Sequence, residues 1–243
     1  MRNQLLIVAS FIAGCAGSTA TGTDGGTSNG TVPDLYKAFS STLTVKAEGN
    51  YVVITSTGVP DHKSPYFGSG NAKYESYNGS NPNFRINPNT ISSQNLTFRI
   101  PITPSALTTP SPTPLGPIGV AINGVPLFNQ YAANNQPLTN EIDSFDQYNG
   151  HPQMTGMYHY HVEPTWITRN SRAVLIGVLL DGYPVYGPIE NGQLVTTASL
   201  DAAHGHFGAT AEFPNGVYHY HTTSDAPYIN GSGFHGSPGT VSQ

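Results

Sequence analysis

Residues 118–128 read IGVAINGVPLF and residues 176–186 read IGVLLDGYPVY, a match at an offset of 58 residues without a gap. Each copy is an apolar run, an Asn-Gly or Asp-Gly pair, and a second apolar run. Those dipeptides tolerate the positive φ angles of a two-residue hairpin turn, so each copy predicts a β-hairpin. A self-match at fixed offset marks an internal duplication. It continues downstream. Asp146-Gln-Tyr-Asn-Gly-His151 matches Asp201-Ala-Ala-His-Gly-His206, both of the form D-x-x-[NH]-G-H. Gly156-Met-Tyr-His-Tyr-His161 matches Gly216-Val-Tyr-His-Tyr-His221, both G-x-Y-H-Y-H. The interval from G-H to Y-H-Y-H differs between the copies, as duplication followed by loop variation produces. Two equivalent halves are expected to pack about a pseudo-two-fold axis and to bring their matching motifs together.

Outward from the repeat, the chain continues as short strands broken by turn signals. Residues 43–47 and 51–55 flank Glu48-Gly49-Asn50 and predict a hairpin; residues 95–100 alternate and predict a further strand. Residues 58–89 are rich in Gly, Asn and Pro and read as loop. Residues 101–117 carry six prolines, so they form a connector or a sheet edge and not a central strand. Composition agrees. The 243 residues include 27 Gly and 20 Pro, which excludes a helical bundle or coiled coil. At 37% hydrophobic the chain can bury a core. The expected fold is all-β, a sandwich or distorted barrel, with an N-terminal β region (32–117) leading into a duplicated domain (118–243). Only 9% of residues are charged, the net charge is −5, and no Lys/Arg cluster offers a nucleic-acid footprint.

The N-terminus reads as an address. In MRNQLLIVASFIAGC one Arg precedes an apolar run from Leu5 to Ala13, too short to span a bilayer and suited to a signal-peptide core, residues 1–14. Ile12-Ala13-Gly14-Cys15 resembles the lipobox of bacterial lipoproteins, which implies cleavage before Cys15 and lipidation of its thiol. That accounts for the only cysteine and leaves no disulfide. An ordinary secretory signal cut elsewhere is the alternative. Ala16 after the cysteine fits release to the outer membrane or cell surface. Residues 15–31 cannot bury apolar surface and form a flexible tether. No second apolar run reaches 18 residues, so membrane contact is expected through the lipid alone.

The chemistry sits in Y-H-Y-H. Alternate side chains of a strand share a face, so His159 and His161 point one way and Tyr158 and Tyr160 the other; His219 and His221 likewise oppose Tyr218 and Tyr220. Two imidazoles on one face are spaced to grip one ion, and His151 and His206 can each supply a third nitrogen. The competing reading is that these histidines are hydrogen-bonding residues at sheet edges. The tyrosines brace the site with buried rings. The four Y-H-Y-H histidines are expected to converge on one shared centre. Imidazole ligands suit Zn²⁺, Cu²⁺, Ni²⁺ or Fe²⁺ over Mg²⁺ or Ca²⁺. Copper is favoured over zinc, because an exported protein meets it outside the cytoplasm and a thioether from Met154 or Met157 would favour Cu(I). Asp146 and Asp201 could each orient an imidazole from behind or cap a turn. His204 and His235 read as structural, and His62 as a surface loop residue.

Taken together, these motifs resemble the YHYH family of exported bacterial proteins. The resemblance covers Ile118 to Gly236, about half the chain, and rests on Asn149-Gly150-His151, residues 158–161, 181–188 and 218–221, and Phe234-His235-Gly236. Relatives often carry D-x-C-N-G, with cysteine where this chain has Tyr148 and Ala203, so a family disulfide is not expected. The family supplies no activity to carry over.

Three functions remain open. The first is a metal-binding exported protein, for metal handling or a redox step. The second is a hydrolase. His221-Thr222-Thr223 fits the H-x-[ST] of two-histidine phosphoesterases but His161-Val162-Glu163 does not; a metal-assisted hydrolase would draw a base from Glu163 or Asp225. The third is a surface module for glycans or proteins, using some of the 14 tyrosines. No G-x-S-x-G, H-E-x-x-H or phosphate loop occurs.

Overall fold

The structure, a computed structural model, describes residues 30–231 and 233–243. The signal-peptide segment 1–14, Cys15 and tether residues up to 29 lie outside the described residues. Gly30, read as tether, already donates its N–H to Gly49 O at 3.1 Å.

The described residues are all β and sandwich-like, with several sheets and no closed barrel among them. β1 (Thr44–Glu48) and β2 (Tyr51–Ser56) form the expected hairpin about Gly49, whose φ is 57°. β3 (Leu96–Pro101) pairs with β2, burying Leu96, Phe98 and Ile100 on alternate positions. β4 (Ala106–Ser111) lies within the proline-rich stretch. The first repeat supplies β5 (Pro117–Ala121) and β6 (Pro126–Phe128), then a two-residue ribbon of β7 (Tyr131–Ala132) and β8 (Gln136–Pro137). β9 (Gly150–Pro152) and β10 (Tyr158–Tyr160) follow. The short helix α1 (Thr165–Thr168) leads to the second repeat, β11 (Leu175–Leu179) and β12 (Pro184–Tyr186). Its own ribbon is β13 (Ile189–Glu190) and β14 (Gln193–Leu194), and its motif strands are β15 (Gly205–Gly208) and β16 (Val217–His221). β17 (Phe234–Gly236) and β18 (Thr240–Ser242) end the chain.

Both repeats lie in one eight-stranded sheet, ordered β15-β16-β12-β11-β5-β6-β10-β9. Its centre is the antiparallel pair β5/β11, where Val120 faces Val178, Gly119 faces Leu179 and Ala121 faces Gly177. Val178 is the repeat image of Val120, so the pseudo-two-fold axis passes between them. All five residues of β11 are buried, which explains its unbroken apolar run. Gly119 and Gly177 are also images, and both are needed for close approach. A Cβ on Gly177 would stand 2.3 Å from Val120 O, and one on Gly119 2.6 Å from Val178 O. Outside each hairpin lies its Y-H-Y-H strand, parallel to the hairpin's second strand: Tyr160 sits beside Leu127 and Tyr220 beside Val185. The G-H strands β9 and β15 close the two edges, with His151 opposite His159 and His206 opposite His219.

Pairing crosses the division drawn at residue 117. β18 adds to β3, completing the sheet β1-β2-β3-β18, and β17 pairs with β4. One apolar cluster takes in Val52, Ile54 and Phe98 as well as Val120, Leu127 and Val178. Among the described residues no helix is long and apolar enough to cross a membrane.

Candidate metal centre

The expected convergence of His159, His161, His219 and His221 does not occur. β10 and β16 stand five strand positions apart in the sheet; at about 4.8 Å per step that is roughly 24 Å. The axis explains the separation. It runs between the first strands of the two hairpins, so duplication carries the motif strands outward.

Each repeat instead builds its own centre. In the first, His159 Nε2 lies 3.0 Å from both His151 Nε2 and His161 Nε2. In the second, His206 Nε2 lies 3.1 Å from His219 Nε2 and 3.2 Å from His221 Nε2. Register produces this: residues two apart on one strand share a face with the residue opposite on its partner.

The other ring nitrogens fix the tautomers. Nδ1–H of His159 donates to Met157 O at 3.1 Å, and that of His161 to Asn129 O at 2.6 Å. Their images repeat the pattern: His219 donates to Val217 O at 3.0 Å and His221 to Gly187 O at 2.8 Å. His151 Nδ1–H donates to Ser144 Oγ at 2.7 Å, whose own proton goes to Glu141 O. Nε2 of these five rings is then a bare acceptor, so three such lone pairs face one point in the first triad and two in the second, and they repel unless a cation lies between them. Three nitrogens bound at about 2.0–2.1 Å in tetrahedral geometry stand about 3.3 Å apart, and the two separations from the hub nitrogen of each triad, 3.0–3.2 Å, lie close to that. Each triad could hold a metal ion.

A proton does not serve as that cation. Burial pushes His151 down to about 3 and His161 to about 4, and holds His159 well below the ordinary imidazole range. Burial also lowers His219, and lowers His221 to about 4. In the metal-free protein these rings stay neutral while the unfolded chain takes up protons near pH 6.5. Below that pH the unfolded state binds more protons. Stability is therefore full above about pH 6.5 and falls as pH drops toward the folded-state values. Urea titrations of metal-free protein at pH 7.5 and pH 5 are expected to differ by on the order of a few kcal/mol, lower at pH 5; equal midpoint and slope would refute buried neutral rings.

A carboxylate lies beside each triad, and the repeat pattern concealed both. Glu190 Oε2 lies 3.3 Å from His206 Nε2, and its Oε1 lies 3.3 Å from His219 Nε2. The image of Glu190 at the 58-residue offset is Ala132, so comparing copies drew attention away from it. At the first triad Glu141, from outside the matched segments, has Oε1 3.4 Å from His151 Nε2, but it does not join the three nitrogens as Glu190 does in the second. Burial raises the Glu141 carboxyl above its usual range. The walls differ too. Phe128 stacks on His159 at 3.9 Å, and Phe145 lies edge-on to His151 at 4.8 Å. Their images are Tyr186 and Leu200. The Tyr186 hydroxyl lies 2.6 Å from Glu212 Oε2 and 2.8 Å from Thr210 Oγ1.

The tyrosine faces are tied down separately. Tyr158 donates to Asp146 Oδ2 at 2.8 Å and Tyr218 to Asp201 Oδ1 at 2.9 Å. The same aspartates accept turn N–H groups, from Tyr148 and Gly150 and from Ala203 and Gly205. Of the two roles open to Asp146 and Asp201, the structure therefore has the turn cap. Backbone carbonyls, with Ser144, do the orienting of the rings. Tyr160 OH meets Asn123 of its hairpin turn at 3.2 Å, and Tyr220 donates to Asp181 of the other turn at 2.6 Å.

His62 is not a surface residue. It is 2% exposed, its Nε2 is 3.0 Å from Tyr160 OH, and its ring packs against Tyr148, Tyr158 and Trp166. His204 has φ 73°, matching Asn149 at 65°, and its Nε2 meets Thr197 and Thr223. His235 stacks on Tyr218 at 3.5 Å. Neither methionine reaches a centre: Met154 is 90% exposed, and Met157 Sδ faces Gln243 Nε2 at 3.9 Å. Glu163 is engaged by Arg172 and Thr168, and Asp225 is exposed, so neither stands as a base beside a triad.

The sequence model of a family described as YHYH protein matches residues 97–193 and 189–234, more than half of the chain. No curated protein and no solved structure matches it.

Proposed function

The chain belongs to the YHYH protein family, and on that premise we propose that it is an exported, lipid-anchored protein that binds two transition-metal ions, one in each repeat, for metal handling or a redox step. One observation carries the reading. In both copies three imidazole Nε2 atoms stand 3.0–3.2 Å from their nearest triad neighbours, and Nδ1 of five of the six rings is already engaged. Such a ligand set prefers Cu²⁺ and Zn²⁺ among available divalent ions, and copper stands highest in the affinity order. Copper is the ion we favour, for a protein working outside the cytoplasm. Cys15, lipidated after cleavage, anchors it to the outer membrane or cell surface.

Full-length protein purified without a polyhistidine tag is expected to carry or take up about two equivalents of copper or zinc. Each ion at a thousandfold excess over Kd adds about 4 kcal/mol of stability. Less than a tenth of an equivalent of any transition metal, with no rise in unfolding temperature on adding Cu²⁺ or Zn²⁺, would refute the reading. Cys15→Ser is expected to move the protein from the membrane fraction to the soluble one. A second reading, metal-assisted hydrolysis, draws on the second centre, where Glu190 lies beside two metal-facing nitrogens. Turnover that disappears in His219→Ala would favour it.

A further inference from the structure

The two centres are built from the same three histidines but are not equally accessible. Resting on the two-ion reading, we infer that only the second centre accepts an exogenous ligand, a small anionic donor of a few heavy atoms, while the first is sealed. His151, His159 and His161 are each 2% exposed, and Phe128 and Phe145 cover their rings. In the second centre the image of Phe128 is Tyr186, which lies edge-on to His219 at 5.3 Å and makes that wall polar, and the image of Phe145 is Leu200, which has no ring. The His206 side chain is 31% exposed. His219 and His221 line a cavity of about 220 Å³ together with Tyr186, Glu190 and Thr210. A water molecule's share of liquid volume is about 30 Å³, so a ligand of several heavy atoms fits. A divalent ion held by three neutral imidazoles and Glu190 keeps a net positive charge, which draws an anion into that cavity.

Azide added to the copper(II)-loaded full chain tests this. A charge-transfer band is expected to saturate at one azide per chain carrying two copper ions. The band is expected to vanish in His219→Ala and to persist in His159→Gln. Ala209→Trp, on the cavity wall, is expected to weaken azide binding at least tenfold with two copper ions still bound. Two azides per chain, a band that survives in His219→Ala, or no band from protein that holds two copper ions would overturn the inference and leave the two-ion reading standing. Protein that takes up no copper would overturn both, and metal analysis of the same sample tells these failures apart.

Discussion

His159→Ala is expected to cut the metal content from two ions per chain to one and to weaken the first centre at least a hundredfold. His159 Nε2 is the hub of its triad, 3.0 Å from both other nitrogens. Losing only an outer hydrogen-bond partner of a metal ligand costs ten- to hundredfold in affinity, so losing the ligand costs more. The change also leaves a hole behind Phe128, and removing a buried ring costs about 3–5 kcal/mol. His159→Gln keeps more of the volume and separates the two effects: it should lose the ion while retaining more of the metal-free stability. Metal analysis beside thermal unfolding with and without added Cu²⁺ reads both. Two ions retained by His159→Ala would show that the triad is not a ligand set.

Gly177→Ala is expected to cause a large loss of folding stability. The new Cβ would stand 2.3 Å from Val120 O and 2.7 Å from Ala121 Cα. Both are backbone atoms of the neighbouring central strand and cannot rotate aside, so β5 and β11 must part along the axis. Overpacking of a core costs about 1–3 kcal/mol and occasionally more; a backbone clash places this change at or above the top of that range. A loss of about 3 kcal/mol lowers the midpoint by about 6–12 °C in a chain of this size. Gly68→Ala serves as the control, since nothing lies within 4 Å of its added Cβ. Equal melting temperatures for the two variants would refute the tight-axis account.

The hairpins were legible because Asn123-Gly124 and Asp181-Gly182 fix local backbone geometry. The triads were half legible: alternation along Y-H-Y-H places its histidines on one face, and the G-H residue arrives from the adjacent strand. Which strands meet at the axis was not legible. Val120 pairing with Val178 is a choice among long-range pairings that apolar runs of equal quality all permit, and that choice decides between one shared centre and two separate ones. Glu190 was missed because its image is Ala132, and Glu141 because it lies between the matched segments. His62 was missed because a Gly/Asn/Pro-rich loop carries no periodicity; its burial comes wholly from distant aromatic partners.

The pairing of Thr240 with Arg99 has a consequence for how the molecule is made. The first sheet receives its fourth strand from residues about 140 positions further along the chain. Contacts this non-local slow the folding reaction, because chain-closure entropy must be overcome before they form. The sheet built on β1, β2 and β3 is therefore among the last parts to be finished, and an emerging chain carries an open edge at β3 until β18 has emerged.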